Sequence, residues 1–137
     1  MATTKVRWVQ DRQFVGMDSN HHAVVISGDK EQSGVKPSQL LLISLSACSA
    51  YDVVEILQKK RKVLHSLEVT AEGTHDDDPP WAIRKIHLHY RLSGEGLTEN
   101  AVEQAIRLSE EKYCSVAATV RGVAAITTEF EIVTEPD

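Results

Sequence analysis

The chain is predicted to fold as an α+β domain, and three observations carry the prediction. Strand-like and helix-like stretches are grouped rather than strictly alternating, in the order β-β-β-α-β-β-α-(α)-β. Residues 38–60 hold no Gly or Pro and read as one long helix. Residues 81–92 alternate cleanly, with Ile86, Leu88, Tyr90 and Leu92 on one face and Lys85, His87, His89 and Arg91 on the other. At 137 residues the chain fits one domain spanning 1–137, large enough to bury a core without staples.

The elements follow in order. Residues 5–9 alternate Val6 and Trp8 with polar partners and read as a strand. Residues 14–17 supply its hairpin partner across a turn at 10–13. Residues 22–27 are rich in β-branched side chains and stop at Gly28 and Asp29, a turn signal. The first quarter is thus a β-meander. Pro37 suits the first helical position, where a missing N–H costs nothing. Leu41, Leu45, Cys48, Asp52, Glu55 and Lys59 then share one helical row. The first half of this helix is apolar nearly all round, which predicts burial on most sides. Lys59, Lys60, Arg61 and Lys62 close it, cations at the negative end of the dipole.

Residues 64–73 and 81–92 are the next two strands. The link at 74–80, with three aspartates and two prolines, is a solvated, mobile loop. Gly94 and Gly96 break the second strand. Thr98 caps a second helix with Glu99 in its first turn, and Val102, Ala105, Ile106 and Leu108 form an apolar stripe reaching about Lys112. A short helical start follows at 113–118. Gly122 interrupts it, and residues 125–133 close the chain as a strand with Ile126, Thr128, Phe130 and Ile132 on one face.

Fifteen Lys and Arg against twenty Asp and Glu leave a formal charge of −5, which argues against a nucleic-acid partner. No stretch is apolar over the roughly 18 residues that a membrane span needs, and residues 1–10 show no signal core. The expectation is a soluble, cytoplasmic protein with no membrane partner. Two cysteines are too few for a disulfide framework. In a reducing compartment they are free, redox-active or without a role.

Cys48 lies mid-helix among Ser46, Ala47, Ser49 and Ala50, small residues that let a backbone or a small ligand come close. Its plainer reading is a small buried hydrophobe. Asp52 follows one turn later, and an ionised carboxylate there opposes a thiolate, so an activating cation has to come from elsewhere in the fold. Cys114 falls at a boundary between helices, and if it opens the second of them the exposed N–H groups there favour its thiolate. The two cysteines are 66 residues apart, which excludes the local Cys-x-x-Cys logic. His87 and His89 share a strand face and offer two metal-ligand positions, but Lys85 and Arg91 beside them make a solvated face the simpler reading. No paired-carboxylate site, phosphate-binding glycine loop or triad order stands out. Neither a cofactor nor a metal is expected.

Pro37 leads, eleven residues on, to Cys48 in the tract Cys48-Ser49-Ala50-Tyr51-Asp52-Val53-Val54. A second box, Lys112-Tyr113-Cys114-Ser115-Val116-Ala117, is followed by Arg121 and Gly122. Together, in this order, the two boxes resemble the central helix and second cysteine box of the OsmC/organic-hydroperoxide-resistance family, most of all its YhfA-like branch. The resemblance implies antiparallel sheets packed around long central helices in an intertwined homodimer, with each site at the subunit interface. It implies thiol-dependent reduction of a small organic hydroperoxide, with Cys48 attacking the O–O bond, Cys114 resolving and an external thiol reductant restoring both. Arg12 is similar to the arginine that activates the thiol, and Lys36 and Arg121 are further sources of positive charge. Ser38 stands where the well-studied peroxidases carry a glutamate. That departure motivates a second reading, a non-catalytic dimeric or redox-sensing protein that binds a small apolar molecule in the same fold.

Overall fold

The computed structural model describes residues 1–134. Its element order is β1 (Lys5–Gln10), β2 (Gln13–Met17), β3 (Ala23–Ser27), α1 (Pro37–Lys59), β4 (Val63–His75), β5 (Ile83–Glu95), α2 (Glu99–Leu108), α3 (Ser115–Val120) and β6 (Ala125–Ile132). The predicted α+β order is present element for element. The chain divides into two compact units, Met1–Leu41 and Leu42–Asp137.

The first unit is an antiparallel meander in the order β1-β2-β3. Asp11 turns the β1–β2 hairpin in the left-handed region with φ 47°, where Asp is tolerated better than most residues. After β3 the chain folds back to make an isolated parallel bridge between Ile26 and Val35. Buried Ser27 organises this return by accepting from the Ser33 and Gly34 amides at 3.1 and 2.9 Å. Gly34 lies so close to β3 that an added Cβ would sit 2.6 Å from the Val25 carbonyl oxygen.

The second unit holds a three-stranded sheet in the order β4-β5-β6. Here the expectation of antiparallel sheets is corrected. β4 and β5 are antiparallel, but β5 and β6 run parallel, from Lys85 opposite Ala125 to Leu92 opposite Ile132. Both helices that follow β5 lie in the connection to β6, and a crossover of that length returns the chain to start a strand in the same direction. The buried face of β5 is as predicted: Ile86, Leu88, Tyr90 and Leu92 are all at most 2% exposed. Leu45, Val53 and Leu57 of α1, and Val102, Ala105 and Ile106 of α2, share the core with them, and so does Cys114. Full burial of such side chains stabilises by about 1.5–3 kcal/mol each.

Two expectations for α1 are corrected. Burial follows one row only, Leu45, Ser49, Val53 and Leu57, while Leu41, Ile43, Ala47 and Tyr51 remain exposed in the single chain. One sheet covers one face of a helix, so an all-round apolar sequence leaves the rest unpaired. Moreover, α1 is long and apolar enough, with a mean hydropathy of 1.8, to pass as a membrane span by length and composition. Ser44, Ser46 and Ser49 interrupt the strictly apolar run without lowering that average below the range of a span. The predicted break at Gly94 is also corrected: β5 continues through it, and the chain turns only at Gly96, whose φ is +76°.

Thr98 caps α2 as expected, its side chain accepting from the Ala101 amide at 3.1 Å. Thr98→Ala is expected to cost about 1 kcal/mol, read as a lower denaturation midpoint at unchanged m-value.

Candidate functional site

A helix places residues four apart on one face, so α1 presents Cys48 and Asp52 together. Cys114 reaches them through a local irregularity. After Leu108 the chain widens into a π-turn at Ser109–Tyr113, closed by the Cys114 amide donating to the Ser109 carbonyl at 2.7 Å. Such turns are uncommon and frequently accompany functional sites. This one ends α2 earlier than the predicted Lys112 and leaves Cys114 in extended conformation as the N-cap of α3.

The result is a compact cluster. The two sulphurs and an Asp52 carboxylate oxygen all lie within 4.8 Å of one another. Both cysteines are free, with Cys48 half-buried and Cys114 only 2% exposed. Two thiols and a carboxylate at this spacing are also a donor set suited to a metal ion. Cys114 Sγ accepts from the Ala117 amide at 3.3 Å. That contact favours the thiolate, as any helix start does, but desolvation outweighs it. Burial first, then the hydrogen bond with Cys48, pushes the Cys114 thiol up to about 11. Cys114 is therefore a protonated thiol at neutral pH.

Under the thiols runs a buried polar chain that the sequence reading missed. Ser109 Oγ donates to Asp52 Oδ2 at 2.8 Å and lies 3.4 Å from Ser49 Oγ, which is 2.5 Å from the Tyr90 hydroxyl. Asp52 is visible as the residue one turn after Cys48. Ser109 and Tyr90 carry no such signal, because they lie 60 and 41 residues from Ser49 and only the fold brings them in. Burial raises the Tyr90 hydroxyl to about 12. Beside the cluster, a cavity of about 440 Å³ is lined by Asp52, Glu55, Ile56, Lys59, Lys60, Leu108 and Tyr113. Its wall is mixed, apolar from Ile56 and Leu108 and charged from the end of α1.

These two groups give a pH prediction. In the unfolded chain the thiol loses its proton near 9.0 and the phenol near 10.0, while the folded protein holds them to about 11 and about 12. Between those limits the unfolded state binds fewer protons, so stability is fully present below about pH 9 and falls above it. The slope is about 1.4 kcal/mol per pH unit for each group. Urea denaturation across this range checks it, and Tyr90→Phe is expected to remove the part that begins near pH 10.

Arg12 belongs to the first unit. It follows Asp11 in the β1–β2 turn, accepts from the Gly28 amide through its carbonyl at 3.0 Å, and lines a cavity of about 610 Å³ with Asp11, Lys30 and Glu31. Glu31 Oε1, beside Gly28, is buried with no hydrogen-bond partner. The other cations considered are engaged: Lys36 pairs with Asp29 at 2.7 Å, and Arg121 donates to the Glu110 carbonyl. Ser38 is exposed in the first turn of α1. On the open face of the second sheet, His87 bonds Thr127 at 2.7 Å, and His89 bonds Glu129 at 2.8 Å. The two histidines thus serve cross-strand polar pairs. Hydrogen bonding to Glu129 raises the His89 pKa from its ordinary value.

Comparison with known proteins places this geometry in context. The family profile described as OsmC-like protein matches residues 28–129. The chain is 34% identical over 129 residues to Protein YhfA of Escherichia coli, covering 94% of this chain and 96% of that one. A crystal structure of a hypothetical protein from Aquifex aeolicus superposes with a TM-score of 0.89 at 29% identity, over 99% of this chain and 98% of that one. An organic hydroperoxide resistance protein OsmC from Legionella pneumophila shares the fold at a TM-score of 0.66 and 15% identity, over 96% of each chain. With the profile over most of its length and a relative 34% identical over 94% of it, this chain belongs to the OsmC-like family.

Proposed function

We propose that the protein is a two-cysteine, thiol-dependent peroxidase that reduces organic hydroperoxides. The observation that carries the reading is that Cys48 and Cys114, 66 residues apart in the chain, have their sulphurs within 4.8 Å. A thiol pair at that distance, one half-exposed and one buried, suits attack at the first and resolution at the second. The thiolate of Cys48 attacks the outer oxygen of R–O–OH and the O–O bond breaks. The alkoxide leaves with a proton as ROH, and Cys48 becomes a sulfenic acid. The Cys114 thiol then displaces the hydroxyl as water and closes a disulfide. An external dithiol reduces that disulfide and restores both thiols.

The cavity beside Asp52, with Leu108 and Ile56 in its wall, suits an alkyl chain better than water alone. Arg12 supplies positive charge to Cys48 in an assembled homodimer. The dimer is supported by the exposed apolar side chains of Leu41, Ile43 and Tyr51 along α1 and of Val6 and Trp8 on β1. In this reading the protein works in the cytoplasm with no cofactor.

The test is direct. The reduced protein is treated with a slight excess of an alkyl hydroperoxide, digested without reductant and examined by mass spectrometry. A rapid, peroxide-dependent cross-link between Cys48 and Cys114 that a dithiol reverses is the expected result. Thiols that stay reduced, or oxidise no faster than in denatured protein, would replace this reading with a non-catalytic binding protein of the same fold.

A further inference from the structure

We infer that the reduced site is also a binding site for a borderline-soft divalent cation, zinc above all, held by Cys48 Sγ, Cys114 Sγ and the Asp52 carboxylate. The inference stands on geometry and does not depend on peroxide reduction. Three donor atoms from α1 and from the π-turn exit lie mutually within 4.8 Å. Zinc binds sulphur at about 2.3 Å and carboxylate oxygen at about 2.0–2.2 Å, so two sulphurs on one tetrahedral ion stand about 3.8 Å apart. Side-chain rotation alone closes a gap of that size. Thiolate ligands select zinc, cadmium or cobalt over magnesium and calcium, which prefer oxygen donors throughout.

The surroundings suit a metal ligand set, although Cys114 also belongs to the core. Ligating carboxylates are commonly fixed by a further hydrogen bond, and Ser109 Oγ holds Asp52 Oδ2 at 2.8 Å. Ser109 is in turn anchored toward Ser49 and, through it, Tyr90. The Ala117 amide donates to Cys114 Sγ at 3.3 Å, and would stabilise charge on a metal-bound sulphur. Of the three ligands Asp52 also lines the neighbouring cavity, so an ion held there would meet a water on its carboxylate side. Three protein ligands and one open position make an open site rather than a closed structural one.

Cobalt(II) is the probe, because thiolate bonded to cobalt gives an intense charge-transfer absorption that nitrogen and oxygen ligands do not. The full-length protein is stripped of metal, kept reduced with a phosphine and titrated with cobalt, and zinc is then added to displace it. One cobalt per chain with the sulphur band is expected, bleached by stoichiometric zinc. Asp52→Asn is expected to weaken binding by about 10-fold or more, and Cys48→Ser to remove most of the band. Both residues are only half-buried, so neither change threatens the core. Ser109→Ala, which leaves all three ligands in place, should weaken binding about 10-fold. The inference is overturned if no sulphur band forms, or if Asp52→Asn binds as tightly as the parent chain. It is equally overturned if binding survives Cys48→Ser but is lost in His87→Ala, which puts the ion on the histidine face. Because the readout is metal absorption, failure of the peroxide cross-link leaves it intact, and the reverse also holds.

Discussion

Replacing Cys48 by serine is expected to lower peroxide consumption by about 1000-fold or more, the scale seen when a covalent nucleophile is removed. Serine keeps the size and the hydrogen-bonding capacity, so the fold and the approach of substrate are retained. What is lost is a polarisable thiolate able to attack an O–O bond. Cys114→Ser is expected to behave differently. The first turnover proceeds, but no thiol waits within 4.8 Å to trap the sulfenic acid. Cys48 then gathers two or three oxygens and becomes irreversibly oxidised. The pair of outcomes assigns the roles: a mass increase at Cys48 only in Cys114→Ser, and none at Cys114 in Cys48→Ser. If Cys114→Ser sustains full turnover without overoxidation, Cys114 is not the resolving thiol.

The second large effect is expected far from the thiols. Gly94→Ala should destabilise the protein by about 3 kcal/mol, the upper part of the range for overpacking a closed site. Gly94 pairs with Leu64 where β4 irregularly shifts register. A Cβ built there would stand 2.1 Å from the Val63 carbonyl oxygen and 3.0 Å from Leu64 Cα. Both are backbone, so no side chain can rotate aside, and the end of the β4–β5 ladder must open. Gly122→Ala is the matched control. Nothing lies within 4 Å of its Cβ position, and its cost should fall within about 0.5 kcal/mol of zero. Equal denaturation midpoints for the two variants would mean that the β4–β5 end relaxes without cost.

Gly94 also illustrates how glycine misleads a linear reading. In sequence, Gly94-Glu95-Gly96 reads as a break, because glycine most often marks a turn. In the fold only Gly96 turns, while Gly94 is there because another backbone passes through the space a side chain would fill. A missing Cβ serves either purpose, and the chain itself does not say which.

Local interactions account for what was legible in the sequence. The alternation of Ile86, Leu88, Tyr90 and Leu92, the Thr98 cap and the helix opening at Pro37 depend on neighbours within a turn or along a strand, and each is present as read. The order of the elements and the two cysteine boxes were legible for the same reason. The parallel pairing of β5 with β6 was not, since the direction of a strand is chosen by the path of the crossover before it. Nor could the burial of α1 be read, because an apolar helix does not declare which of its faces a single sheet will cover. The site divides along the same line. Cys48 and Asp52 share a helical face by sequence alone. Their meeting with Cys114, and the chain of Ser109, Ser49 and Tyr90 beneath them, were decided only when a five-residue π-turn and a buried strand face were packed against that helix.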